Sequence, residues 1–222
     1  MSDTDVFPPR SALAGAATPP DVVMSPNVLR SPDVAISPDA LRHGAGLLAV
    51  VRDGLGFASV LERRLASDAL TGRVRERFGV ELPGGPRLSS GSDIAFVGLG
   101  PGAWLAMAER GGSEFAVTLM RELDGVASVA DQSDGYVLVR LSGPRVRNAL
   151  TKLIPIDLHP RAFSVGDAVS TVASHIGVTL WRLADEFSAP VFEVTMFRSL
   201  APSFWHALNE AGAEYGVMAR LS

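Results

Sequence analysis

Residues 94–108 read Ile-Ala-Phe-Val-Gly-Leu-Gly-Pro-Gly-Ala-Trp-Leu-Ala-Met-Ala, and the fold turns on what their glycines do. Gly98, Gly100 and Ala103 satisfy the G-x-G-x-x-A pattern directly after an apolar run, with the acidic Glu122 and Asp124 further on. In a dinucleotide-binding βαβ unit such glycines bring backbone amides onto a pyrophosphate at a helix N-terminus. The context is wrong for that unit. Trp104–Ala108 is too short for a crossover helix before Glu109-Arg110-Gly111-Gly112, and Pro101 suits a turn between strands. Two strands, Asp93–Leu99 and Ala103–Ala108, are expected around a glycine turn.

Outward from this hairpin, Leu47–Arg52 and Phe57–Leu61 read as short strands around the Asp53-Gly54 turn signal. Ser67–Phe78 reads as a helix with Ser67 as N-cap and Leu70, Val74 and Phe78 on one face. Ser113–Leu123 is helical by its Phe115, Leu119, Met120 and Leu123 stripe. The order then repeats. Strands Ala127–Ala130 and Tyr136–Leu141 precede a helix opened by Ser142-Gly143-Pro144 and running to about Leu153. Strands Ala168–Ser174, Val178–Leu183 and Val191–Phe197 follow, then a helix over Ala201–Ala211 with Phe204, Trp205, Leu208 and Ala211 on its apolar side. Two successive β-α-β-β-α units result, about 43–125 and 126–222. They match an α+β fold of two ferredoxin-like halves, with helices over one face of mainly antiparallel sheets.

Residues 1–42 differ in composition. Seven of the chain's 15 prolines lie there, and Ser25-Pro26-Asn27, Ser31-Pro32-Asp33 and Ser37-Pro38-Asp39 recur every six residues. Such a run buries too little apolar surface to offset its ordering entropy, so a disordered tail is expected, with a docking arm as the functional alternative.

With no cysteine and only His43, His159, His175 and His206, the 222-residue chain lacks the ligands for zinc fingers, iron–sulfur clusters and thiol catalysis. Its net charge of −4 argues against a nucleic-acid surface. No apolar stretch reaches the roughly 20 residues that span a bilayer. The acidic Met-Ser-Asp-Thr-Asp start is unlike a secretory signal, and a cytoplasmic location is expected. Nineteen arginines stand against the single Lys152, a bias that GC-rich coding explains without a ligand. The histidines fall in no catalytic or metal-binding spacing: His206 has Glu210 four residues on, His175 precedes a turn and His159 precedes Pro160. No G-x-S-x-G, H-E-x-x-H or P-loop sequence occurs. Aromatic residues instead crowd the C-terminal third, where Phe204 and Trp205 lie about 100° apart on one helix, too far for a narrow stripe.

Several strings carry a family resemblance. They are Asp131-Gln132-Ser133-Asp134, Val139-Arg140-Leu141-Ser142-Gly143-Pro144-Arg145, Pro155-Ile156-Asp157-Leu158-His159-Pro160-Arg161-Ala162-Phe163, Leu180-Trp181-Arg182 and Phe197-Arg198-Ser199-Leu200-Ala201. Taken in order, over about residues 90 to 216, they resemble the gamma subunit of heterotetrameric sarcosine oxidase. Leu99-Gly100-Pro101 followed by Trp104-Leu105 is similar to a further element of that family, whereas Gly102-Ala103 and Leu153-Ile154 depart from its usual residues.

The resemblance implies the fold of the folate-binding domain of aminomethyltransferase and a non-catalytic place beside alpha, beta and delta subunits, chiefly alpha. It implies a complex that oxidises sarcosine to glycine, passes the one-carbon unit to tetrahydrofolate and makes hydrogen peroxide, with FAD, FMN, NAD and zinc held by other subunits and no cofactor here. The equivalent subunit of an N-methyl amino acid dehydrogenase, such as one acting on N-methylglutamate, and a stand-alone folate-binding or transferase domain remain as alternatives. For the subunit surface, strand alternation sets Arg182 opposite Trp181 and Arg198 opposite Phe197. With Trp181 and Phe197 in the core, both arginines face outward as candidate contacts, and Trp205 is the candidate anchor.

Overall fold

The computed structural model describes residues 44–109 and 111–221. The expected tail and His43 lie outside these residues. Among them the chain forms β1 (Leu47–Arg52), β2 (Gly56–Glu62), α1 (Ser67–Phe78), β3 (Leu88–Ser90), β4 (Ile94–Gly100), β5 (Ala103–Ala108) and α2 (Gly112–Glu122). A second run follows: β6 (Ala127–Asp131), β7 (Tyr136–Ser142), α3 (Val146–Leu153), β8 (Ala168–Ala173), β9 (Ile176–Glu186), β10 (Ala189–Phe197), α4 (Ala201–Gly212) and β11 (Val217–Leu221).

These strands make two sheets, one of order β11-β1-β7-β10-β9-β8 and one of order β3-β4-β5-β2-β6. Pairing is antiparallel except between β1 and β11. The class is α+β, as the element order implies. Sheet membership crosses the 125/126 division, because β1 joins the six-stranded sheet and β6 the five-stranded one.

Alternation along each strand explains the layering. On β2, β4 and β5, Ala58, Val60, Phe96, Trp104 and Ala106 pack under α1 and α2. The opposite side chains Phe57, Val97, Leu105 and Met107 meet Leu138, Ala168 and Trp181 of the six-stranded sheet. That sheet's other face carries Val139, Leu141, Leu180, Phe192 and Val194, under Val146 and Leu150 of α3 and Phe204, Trp205 and Leu208 of α4. The order is therefore helices, sheet, sheet, helices.

Three local expectations change. Asp53-Gly54 does not close a hairpin, since β1 and β2 lie in different sheets and Leu55 packs into the layer between them. Ser67 is the first residue of α1, whose N-cap is Ala66 without a side-chain bond. On α2, Ala116 and Leu119 are buried, while Met120 is exposed.

Candidate functional site

Where the two sheets diverge lies a cleft of about 190 Å³ whose lining includes Arg52, Leu55, Glu109, Arg140, Leu183 and Glu193. Register builds its polar floor: Arg140 on β7 and Trp181 on β9 flank Glu193 on β10. Glu193 is 6% exposed. The Trp181 indole Nε1–H donates to its Oε2 at 2.8 Å, and Arg52 Nη1 donates to its Oε1 at 3.3 Å. Arg140 Nη1 lies 3.6 Å from the same Oε1. Arg52 pairs onward with Glu109, and Arg140 with Glu186. Two guanidinium groups are thus set among three carboxylates.

Each Glu193 oxygen accepts one hydrogen bond, and the two neighbouring guanidinium groups hold its charge in place. The cleft is smaller than the roughly 300–1,000 Å³ typical of small-molecule sites. At about 190 Å³ this cleft is too small to enclose a flavin, a dinucleotide or a folate. Sequence reasoning missed Arg52, Arg140 and Glu193. The available signal was two charges, Arg140 and Glu193, on the strand face that also carries Leu138 and the buried Trp181.

The three candidate subunit contacts sit on β9 (Arg182), in the 3-10 turn after β10 (Arg198) and on α4 (Trp205). Trp181 is wholly buried between the sheets and Arg182 does point to the opposite face, but that face is covered, and Arg182 is only 7% exposed. It donates from Nη1 to the Phe163 carbonyl at 3.1 Å and from Nη2 to Asp185 Oδ1 at 2.9 Å. Arg147 donates from Nε to the Leu158 carbonyl at 3.1 Å and stacks over the Phe192 ring. Burial, then the nearby Arg182 charge, lowers the Arg147 pKa. The two arginines clamp the 155–163 loop onto the sheet, and an outward-facing Arg182 is corrected to a buried one.

The premise for Arg198 changes too. Phe197 is 52% exposed and its ring lies tilted against Tyr136, 5.0 Å between centroids, so it does not fill the core. Arg198 begins a 3-10 turn and donates to the carbonyls of Asp134 and Tyr136 at 3.1 and 3.0 Å. Trp205 is 7% exposed, within the core that α4 shares with the six-stranded sheet. Broad burial of α4 accommodates Phe204 and Trp205 together.

The glycine motif is the β4–β5 hairpin. Gly102 adopts φ +67°, open to glycine, and the Gly98 N–H donates to the Arg87 carbonyl at 2.9 Å. A Cβ on Gly98 would collide with the Gly85 carbonyl. These glycines therefore serve a turn and a close backbone approach. His206 pairs with Glu210 at 3.5 Å, while His159 Nδ1 accepts the Arg161 N–H. His175 occupies the β8–β9 turn with φ +73°. Among the described residues no group of three His, Asp or Glu side chains is placed to hold a metal ion.

Comparison with known proteins adds the decisive observation. The model of the sarcosine oxidase, gamma subunit family matches residues 63–214. The chain belongs to the sarcosine oxidase gamma subunit family. It is 34% identical over 151 residues to sarcosine oxidase subunit gamma of Arthrobacter sp., covering 66% of this chain and 74% of that one. The corresponding Corynebacterium sp. (strain P-1) subunit is 39% identical over 114 residues, half of this chain, and the match spans only 56% of that relative.

A chain of heterotetrameric sarcosine oxidase from Corynebacterium sp. U-96, solved with pyrrole 2-carboxylate, superposes with TM-score 0.65 at 26% identity, covering 76% of this chain and 85% of that one. Glycine cleavage system aminomethyltransferase T from Bartonella henselae shares the fold, with TM-score 0.59 at 14% identity over 82% of this chain and 50% of that one. The strings that resemble the gamma family have structural work here. The 155–163 loop is held by Arg147 and Arg182, Trp181 braces Glu193, and the Trp104 indole ties β5 to the Pro83 carbonyl at 2.9 Å.

Proposed function

We propose that this chain is a non-catalytic gamma subunit of a heterotetrameric sarcosine oxidase that stabilises its large partner. The reading includes a cytoplasmic complex of alpha, beta, gamma and delta chains. It demethylates sarcosine to glycine, with tetrahydrofolate as one-carbon acceptor and hydrogen peroxide as product. FAD, FMN, NAD and zinc are held by the other subunits. The observation that carries this is the family match over residues 63–214. The cleft supports it from the chemical side, because Glu193, Arg52 and Arg140 are spent on one another. No helix among the described residues is long and apolar enough to cross a membrane.

The test is coexpression of the tagged chain with alpha, beta and delta subunits of a sarcosine oxidase, followed by affinity purification. The chain is expected to bring down the other subunits with their flavin. Alone it is expected to show neither flavin absorbance nor sarcosine oxidation. Retrieval of the chain by itself, or stoichiometric flavin on the isolated chain, would overturn the reading. Turnover of N-methylglutamate but not sarcosine would reassign the complex to the dehydrogenase class.

A further inference from the structure

The β8 edge of the six-stranded sheet is closed at both ends and open between them. At its start the Ala168 N–H donates to the Pro86 carbonyl at 2.8 Å, beside the antiparallel bridge of Arg87 with Asp167. Just past its end the Ser174 N–H donates to the Leu153 carbonyl at 3.0 Å. In an antiparallel ladder alternate residues turn both N–H and C=O away from the neighbouring strand. Ala168 and Ser174 fix the outward set as the even-numbered residues, so the N–H and C=O groups of Ser170 and Val172 also point off the sheet. Among the described residues these groups have no partner.

The open stretch is unusual in its side chains. Ala168–Ala173 reads Ala-Val-Ser-Thr-Val-Ala, with no charge, proline or glycine. It lacks the lysines, prolines and bulges by which proteins guard an exposed edge. Val172 is 44% exposed. Ser170 pairs across the sheet with Thr179, and their hydroxyls are 3.2 Å apart. Val172 pairs with the exposed Gly177, next to Phe197 on β10. Ser170, Val172, Gly177, Thr179 and Phe197 share one uncharged sheet face that the five-stranded sheet leaves partly uncovered.

We propose that this edge receives an extended, uncharged segment of a partner subunit as an added β-strand, its backbone pairing with Ser170 and Val172 and a side chain packing beside the exposed Val172. The proposal rests on the subunit reading above. Unpaired backbone donors and acceptors in a row select a strand rather than a helix. The neutral ledge selects uncharged side chains, because a charge seated there would lose water without gaining a counter-ion.

Proline discriminates sharply here. At Ser170 or Val172 it removes an outward N–H and spares the β8–β9 ladder, whereas at Thr171 it breaks the ladder itself. In the coexpressed complex, Ser170→Pro and Val172→Pro are expected to weaken retention of the partner by about tenfold or more while the chain's own melting stays near wild type. Thr171→Pro is expected to lower the melting of the chain. Amide exchange at Ser170 and Val172 is expected to be fast in the isolated chain and slow in the complex. Unchanged retention of both proline variants in a complex that does form would overturn the proposal and leave the subunit reading standing. Slow exchange in the isolated chain, from a second copy or from residues 1–43, would also overturn it. Failure of the wild-type chain to assemble would remove the subunit reading and this proposal together.

Discussion

Glu193 shows how a buried charge is retained by its neighbours. Removing the acceptor of a buried hydrogen bond leaves its donor unsatisfied, which typically costs about 1–3 kcal/mol. Glu193→Ala, which leaves the Trp181 indole N–H without its acceptor while Arg52 and Arg140 keep Glu109 and Glu186, is expected to lower unfolding free energy by about that much in urea titration. A loss below about 0.5 kcal/mol would show that the indole N–H finds another acceptor. Arg182→Ala is expected to destabilise the chain itself by about 2–4 kcal/mol, because the carbonyl of Phe163 and Asp185 lose a buried donor. Weakened assembly with unchanged folding would instead restore Arg182 to a subunit surface.

A titratable signature accompanies these. Burial alone would raise the Asp131 pKa, but hydrogen bonds from the Ser133 N–H and hydroxyl, Ser113 and Gln132 hold it below its ordinary value of 3.8. A carboxylate depressed in the folded state contributes stability above its unfolded pKa and loses it as pH falls through the folded value. Between about pH 5 and pH 2.5 the wild type is therefore expected to lose more stability than Asp131→Asn, as read by denaturant titration. Equal losses would mean that Asp131 is unperturbed. At this scale alternation correctly set Trp181 opposite Arg182. Exposure was not legible, because period 2 says nothing about whether the second face is also covered.

Among the elements, the β4–β5 hairpin was readable from Pro101 and the short run after it, and the structure adds why Gly98 is a glycine. Gly98→Ala is expected to lower the melting midpoint by several degrees, about 1–3 kcal/mol, since the 85–87 loop must move off β4. A midpoint within about one degree of wild type would show that this loop yields freely. The exchange of β1 and β6 between sheets was not readable. Each strand's own pattern fits either sheet, and the Asp53-Gly54 signal is equally at home in a crossing connection. β3, a three-residue strand, is too short to show a period, and β11 (Val217–Leu221) opens on three successive apolar residues and so shows no alternation. Burial of Phe204 and Trp205 together on α4 reflects a sheet wide enough to receive more than one helical stripe.

For the whole molecule, the layering gives this chain its own cores, whose named residues run from Leu47 to Ala219. Deleting residues 1–42 is accordingly expected to change the melting midpoint by no more than about two degrees. A larger loss would show that this segment packs on the domain. The α+β class and the family were legible in the sequence. The paired state of the cleft's charges was not, since it depends on β1, β7, β9 and β10 coming together across more than a hundred residues of chain. The role proposed for this chain is to support an oxidase whose chemistry lies in other subunits. Its most direct measurement is sarcosine-dependent hydrogen peroxide formation by the assembly purified through a tag on this chain, set beside the same assay on the chain alone. The account predicts activity and bound flavin in the assembly and neither in the isolated chain; activity in the isolated chain, or an assembly that lacks it, would contradict the account.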